Sequence, residues 1–379
     1  MARCTYAEDR DFLAGRAKLV ELTGPDDARA LVAPAWQGRV MTSTLAGEAG
    51  LSGGWVNRPF IEAGRDDEGF NNYGGEDRFW LGPEAGQFGL WFAAGEPFDV
   101  GCARTPPGIN RGGFDVTSQG ASFAAMARQF EVTNYSGTQF RCAVRRTIEV
   151  LDYDRTAGVL GATVPRGVRS VAFESSNTLV NVGDEPWRRE TGLLSVWTLG
   201  QFPALPRGEV VVPFLPGGAA GEGVQTDYFD PPPPDRCRVL DDHVRFACDG
   251  RCRGKIGVSP ARSRGVLGSF DPDEAVLTVV QFNQPPAASK LPYVNSLWEL
   301  QDDPYAGDAI NSYNDGPQGE AGESFGAFYE LETSSPAAEL APGESICHTH
   351  RTCHFAGDFD GLRRVAWRVF GVDLQDLGR

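Results

Sequence analysis

Short alternating runs between frequent breaks limit most strongly what this chain can fold into. In QFRCAVRRTIEV, residues 139–150, the side chains of Phe140, Cys142, Val144, Ile148 and Val150 fall on one face of an extended strand, because successive strand residues point to opposite sides. Comparable runs recur at RALVAPAW, QFGLWF, SFAAMARQFEVTN, SVAFESSNTLVNV, LLSVWTL, EVVVPF, AVLTVVQF, AFYELETS and SICHTHR. Between them stand 47 glycines and 26 prolines, which make turns and end regular elements. TNYSGT, residues 133–138, reads as a hairpin turn joining two of the runs. The pattern predicts an all-β fold, a large antiparallel β-sandwich. Helical spacing is confined to the end of the chain. There Leu362, Val365, Ala366, Val369 and Phe370 share a face and Gly371 follows as a stop, so a short C-terminal helix is expected. No long internal repeat is visible and the proline run Pro231–Pro234 is short, so residues 1–379 read as a single domain with long inserted loops.

Charge excludes some partners. The formal net charge is −16, which offers no basic footprint for nucleic acid or an anionic membrane. There is no apolar run long enough to span a bilayer, and the start, MARCTYAEDRDFLAG, lacks the apolar segment of a secretion signal, so a cytoplasmic location is expected. The cysteines at 4, 102, 142, 237, 248, 252, 347 and 353 form no CxxC pair and are read as reduced.

Four stretches gather chemistry. In FYELETS, Glu330 and Glu332 point to the same side of a strand, about 7 Å apart. Two carboxylates in one cleft repel, which raises the proton affinity of one and sets up an acid beside a base; on a solvated sheet face they do nothing. In GGEDRFW, Glu76, Asp77 and Arg78 can address hydroxyls and Trp80 can stack on a sugar's C–H face, unless Arg78 merely pairs with its neighbours. WELQDDPYAGDAINSYNDGP interleaves Trp298, Tyr305 and Tyr313 with Glu299, Asp308, Asn311, Asn314 and Asp315, a mixture suited to carbohydrate, whose hydroxyls both donate and accept. Calcium is a weaker option there, since no EF-hand spacing is present, and no cofactor is expected. CHTHRTCH places His348 and His350 on one strand face, with Cys347 and Cys353 opposite, a poor arrangement for a Cys/His metal site. A histidine from this run, His350, is instead expected as a general acid near Glu332. Arg146 is in phase with the apolar face of its strand and needs a buried carboxylate unless a bulge turns it out.

The string also resembles the galactose mutarotase-like superfamily, which includes aldose 1-epimerases. The likeness rests on VAPAWQGRVMTSTLAG (32–47), NYGGEDRFWLGP (72–83), VNVGDEPW (180–187) and FYELETSSPAAEL (328–340), and is closest to a bacterial branch whose activity the resemblance does not supply. It implies a supersandwich with a sugar cleft on a concave sheet face, a sugar-binding turn bearing Arg39, and Glu332 at the place of the catalytic glutamate. Those epimerases use two histidines and one glutamate. Here GGEDRFW has no histidine, and Trp197 in LLSVWTLG stands near the place of the second. An epimerase-like enzyme is therefore expected to replace the histidine acid, by His350 or Arg78. The alternatives are a glycoside hydrolase or lyase on the same fold and a non-catalytic carbohydrate-binding module.

Overall fold

Every strand pairing within the three sheets is antiparallel. The structure, a computed structural model, describes residues 3–217, 222–317 and 324–377. A ten-stranded sheet runs, edge to edge, through Cys237–Val239, His243–Ala247, Glu209–Pro213, Val266–Asp271, Val276–Phe282, Ser345–Ala356, Arg169–Asn181, Gln139–Val150, Phe123–Thr133 and Asp115–Gln119. A six-stranded sheet runs through Val224–Gln225, Gly254–Val258, Ile310–Asn314, Phe328–Ser334, Ser195–Pro203 and Arg78–Gly82. A third sheet comprises Val20–Thr23, Arg29–Ala33 and Arg39–Thr44. The predicted antiparallel sandwich is what forms.

Alternation decides the layers. On the six-stranded sheet, Ile256, Tyr329, Leu331 and Phe202 pack against Val210, Val212, Leu267 and Val280 of the ten-stranded sheet. Their strand neighbours Lys255, Glu330, Glu332 and Gln201 must then face away from that core, toward the outer side of the six-stranded sheet. The C-terminal helix spans Phe359–Phe370. Asp358 caps its first turn by accepting from the Gly361 N–H, and Gly371 ends it at φ 77°, a conformation glycine adopts without strain. Its buried face, Leu362, Val365, Ala366, Val369 and Phe370, covers the far side of the ten-stranded sheet around Val211, Phe270 and Leu277.

Two sequence expectations change. QFGLWF forms turns rather than a strand, because its aromatics pack locally: Phe88 stacks on Tyr305, and Trp91 meets Trp80 and Trp298 edge-on. Helices also form at Tyr6–Ala14, Arg58–Ala63 and Tyr153–Leu160. The first has a capping box, Thr5 with Glu8, that was legible as T-x-x-E. All eight cysteines are free.

Polar groups occupy the space between the sheets. Arg146 is fully buried without any bulge in its strand, whose register with Phe123–Thr133 is unbroken. It donates to Asp77, to Asn177 and to the Gly38 carbonyl. Thr333 Oγ1 lies 2.8 Å from both His348 Nε2 and His350 Nδ1. Burial pushes His348 down to about 3 and His350 down to about 4, from 6.5. Both rings are therefore neutral in the fold. As pH falls below 6.5 the unfolded chain takes up their protons first, so the stability they support is full above 6.5 and is lost between there and about 3. Buried carboxyls with raised pKa act with the opposite sign. The pair replacement His348→Gln with His350→Gln isolates the histidine part: in urea titrations across that window it should lose less stability on acidification than the wild type, and parallel losses would refute the assignment.

Candidate functional site

The outer face of the six-stranded sheet collects charge in an order set by register. Lys255 pairs across strands with Tyr313, and Tyr313 with Glu330. Glu332 lies opposite Asn311 on one side and Leu199 on the other, and Leu199 lies opposite Arg78. Directly opposed residues share a face, so Lys255, Asn311, Tyr313, Glu330, Glu332, Trp197, Arg78 and Trp80 all rise on the same side.

Glu332 is fully buried. One carboxylate oxygen, Oε2, is 3.0 Å from Trp197 Nε1 and 3.1 Å from Lys255 Nζ, while the other, Oε1, is buried with no hydrogen-bond partner. Glu330 Oε1 accepts from Arg78 Nη2 at 2.6 Å. Nε and Nη1 of that guanidinium are buried and unpartnered. Burial pushes the Glu330 carboxyl up to about 7; Arg78 opposes the rise and the Glu332 charge adds to it. Lys255 is pulled down by burial, but Glu332, Glu84 and Glu330 outweigh that and raise it. Trp197 lies beneath the ammonium, its ring centre 5.0 Å from Nζ.

A cavity of about 10 Å³, room for about one water, lies beside this cluster, walled by Trp197, Lys255, Asn311, Ser195, Tyr228 and Asp308 among others. Tyr228 donates to Asp308 Oδ2 at 2.6 Å and accepts from Asn311 Nδ2 at 2.9 Å. Burial pushes Asp308 up to about 6 against the opposing Tyr228 hydrogen bond and Lys255 charge. Gly257 makes room for Asp308: a Cβ there would lie 2.0 Å from Asp308 Oδ2. Glu84 accepts from Trp298 Nε1 at 2.9 Å and is raised by burial.

The expected residues divide. Glu332, Glu330 and Arg78 meet as expected, with Trp197, Asn311 and Tyr313 beside them. Trp298 stands behind Glu84. Arg78 pairs with Glu330, not with Asp77 or Glu76. Trp80 is on the same face but offers no open platform: Phe70, Trp91 and Trp197 pack edge-on around it and the Arg78 guanidinium covers it at 4.9 Å. Six expectations are corrected. His350 lies on the opposite side of the six-stranded sheet from Glu332, bonded to Thr333 in the inter-sheet core. Asp77 serves Arg146 there. Glu76 accepts from the Ser43 hydroxyl at 2.9 Å and meets His354 Nε2 at 2.8 Å, again between the sheets. Arg39 is fully buried, and its guanidinium is taken up by Gln37 and by the Gly74 and Asn71 carbonyls, which hold the 71–75 loop. Asn314 binds the 250–252 backbone. Glu299 is exposed away from the cluster. Lys255, Glu84 and Tyr228 went unnamed as site residues, whereas Asp308 stood in the polar-aromatic stretch read as suited to carbohydrate; Lys255, a charge inside the otherwise apolar GKIGV run, carried a visible signal.

A larger cavity, about 440 Å³, lies at the end of the inter-sheet space near Leu45, Ala46, Leu51 and Val276. Its histidine, His354, has both ring nitrogens engaged, by Glu76 and by Thr278, and Arg3, Arg169 and Glu274 also line it. Among the described residues no group of three or more His, Cys, Asp or Glu is arranged to hold a metal ion, and no helix is long and apolar enough to cross a membrane.

This architecture, a large antiparallel β-sandwich, is shared with solved structures of other proteins. The chain belongs to the family of unknown function DUF6786, whose sequence pattern matches residues 4–379. No curated protein matches it. Among solved structures it is similar to a candidate aldose 1-epimerase of Escherichia coli, with a TM-score of 0.54 and 11% identity over 90% of this chain and 99% of that one. It is equally similar to a protein of Synechocystis sp. PCC 6803, with a TM-score of 0.54 and 12% identity over 94% and 100% of the two chains. At such identities the likeness shows the fold and not the chemistry.

Proposed function

We propose that the protein is a carbohydrate-active enzyme that moves protons on a single sugar ring held against the outer face of the six-stranded sheet. One observation carries this reading: two glutamates, two residues apart on one strand and on one cleft face, are placed in different environments, Glu332 against an ammonium and Glu330 against a guanidinium with its proton affinity near neutrality. Glu332, with one oxygen unclaimed, takes a proton from a sugar hydroxyl. Glu330 gives one to the ring oxygen. Arg78, through its two unclaimed nitrogens, and Lys255 stabilise the charge that develops, the part played by histidine in aldose 1-epimerases. The candidate epimerase of Escherichia coli on the same fold supports a sugar as substrate.

A second reading, glycoside hydrolysis, draws on the strand spacing: carboxylates about 7 Å apart fall within the range used by inverting glycosidases. NMR of the purified protein with anomerically pure monosaccharides and with short oligosaccharides separates the two. Anomeric exchange above the spontaneous rate is expected with at least one aldose; cleavage without exchange favours hydrolysis, and neither reaction with any sugar removes the catalytic reading.

A further inference from the structure

The cavity of about 440 Å³ lies within the size range of small-molecule sites, and the sugar reading makes no use of it. Strand register builds one wall. Val276, Ala356 and Arg169 lie opposite one another on three adjacent strands, and Val171 and His354 form an opposed pair two residues farther along. Opposed residues and residues two apart share a face, so all five border the same space. The facing wall is the 43–53 segment, which brings Leu45 and Leu51. Gly53 lets this segment lie close over the floor: a Cβ there would stand 2.8 Å from Glu76 Oε1 and 3.1 Å from His354 Nε2. Four ionisable side chains line the cavity, and two of them are already answered. His354 is held by Glu76 and Thr278, and Arg3 by Asp271 at 3.3 Å and the Ser52 carbonyl at 3.0 Å. The other two, Arg169 and Glu274, carry opposite charge, and among the described residues neither side chain has an ion-pair or hydrogen-bond partner. Arg169 and Val276 start two strand spacings apart, about 10 Å, and Glu274 precedes Val276 by two residues. The two charges border one space without pairing across it.

We propose that this cavity is a second binding site, for a free α-amino acid with an apolar side chain. Arg169 receives the carboxylate, whose two oxygens match the guanidinium fork, and Glu274 receives the ammonium. The side chain lies against Leu45, Leu51, Val171 and Val276, where burying hydrocarbon is favourable. A ligand with a carboxylate alone would meet the like charge of Glu274, and one with an ammonium alone the like charge of Arg169; a zwitterion answers both. The cavity lies at the end of the inter-sheet space, away from the outer face that carries Glu332, so the inference goes beyond the sugar reading and stands or falls without it.

The test is ligand-observed NMR titration of the full chain at neutral pH with leucine, with 4-methylpentanoate, which lacks the ammonium, with 3-methylbutylamine, which lacks the carboxylate, and with glycine, which lacks the side chain. Leucine is expected to bind about fivefold tighter than either single-charge analogue, the upper end for an ion pair open to water, and tighter than glycine. Arg169→Gln should bring leucine down to the level of 3-methylbutylamine, and Glu274→Gln to that of 4-methylpentanoate. Both positions are exposed, so both variants should keep the wild-type melting temperature. If either single-charge analogue or glycine binds as tightly as leucine, the assignment to an apolar zwitterion falls. If none of the four binds, the site itself falls. A preference for leucine that survives both substitutions overturns the placing of its charges on Arg169 and Glu274.

Discussion

Glu332→Gln is expected to lower turnover by about 10²–10⁴-fold, the usual contribution of a positioned general base, while the protein stays folded. The amide keeps an acceptor for the Trp197 N–H, so the packing beneath the cleft survives. Lys255 loses its partner at 3.1 Å but retains the nearby charges of Glu84 and Glu330. What disappears is the negative charge and the unclaimed oxygen facing the substrate. Glu330→Gln should behave differently. It removes a carboxyl with a pKa of about 7, so the decline in wild-type rate as pH rises through that value, where the acid form is lost, should vanish from the variant's pH profile. It also leaves the buried Arg78 unpaired, so its melting temperature should fall more than that of Glu332→Gln. Turnover at the wild-type level in Glu332→Gln would take that residue out of the mechanism. A Glu330→Gln profile that keeps its decline near neutrality would assign the titration elsewhere.

How much of this could be read in advance depends on what each signal encodes. Period-two alternation encodes which residues share a side, and that survives folding: Glu330 and Glu332 do share a face, and so do His348 and His350. Alternation does not encode which side meets the other sheet. The histidines went to the core and the glutamates to the cleft because Thr333, not Glu332, is the residue of its strand that points inward. The same rule, applied strictly, would have corrected GGEDRFW, since Glu76, Asp77 and Arg78 are consecutive and an extended backbone cannot aim all three into one cleft. Arg78 meets a carboxylate 252 residues away, a pairing fixed only by strand order and by no local pattern. Arg39 was placed by resemblance to a sugar-binding turn, yet full burial with four hydrogen bonds to Gln37 and two carbonyls makes it a brace for the loop above it. The fold transferred across the resemblance because many strands carry it together, whereas each site residue depended on a single side chain's direction.

The brace that matters most for stability lies outside the cleft, and Asp77→Ala is expected to lower the unfolding free energy by about 3–5 kcal/mol. Asp77 and Arg146 are both fully buried and bonded to each other, so the alanine leaves a guanidinium charge in the inter-sheet core with only Asn177 and carbonyl oxygens around it. Arg39 lies close enough for its charge and that of Arg146 to repel, which deepens the cost. Restoring neutrality should recover part of the loss: the double change Asp77→Ala with Arg146→Met replaces a broken pair by an apolar side chain and is expected to be more stable than Asp77→Ala alone in urea titrations. If the single variant unfolds at the wild-type midpoint, the pair is not the brace described. The effect should reach the cleft as well. Asp77 bonds backbone to backbone with Val40 of the three-stranded sheet and, through its side chain, with the ten-stranded sheet, immediately before the strand that begins at Arg78. Loosening it shifts the one guanidinium that Glu330 depends on. A residue that touches no substrate should therefore lower turnover when it is replaced, and the double variant, by restoring the entry of that strand, should recover activity together with stability.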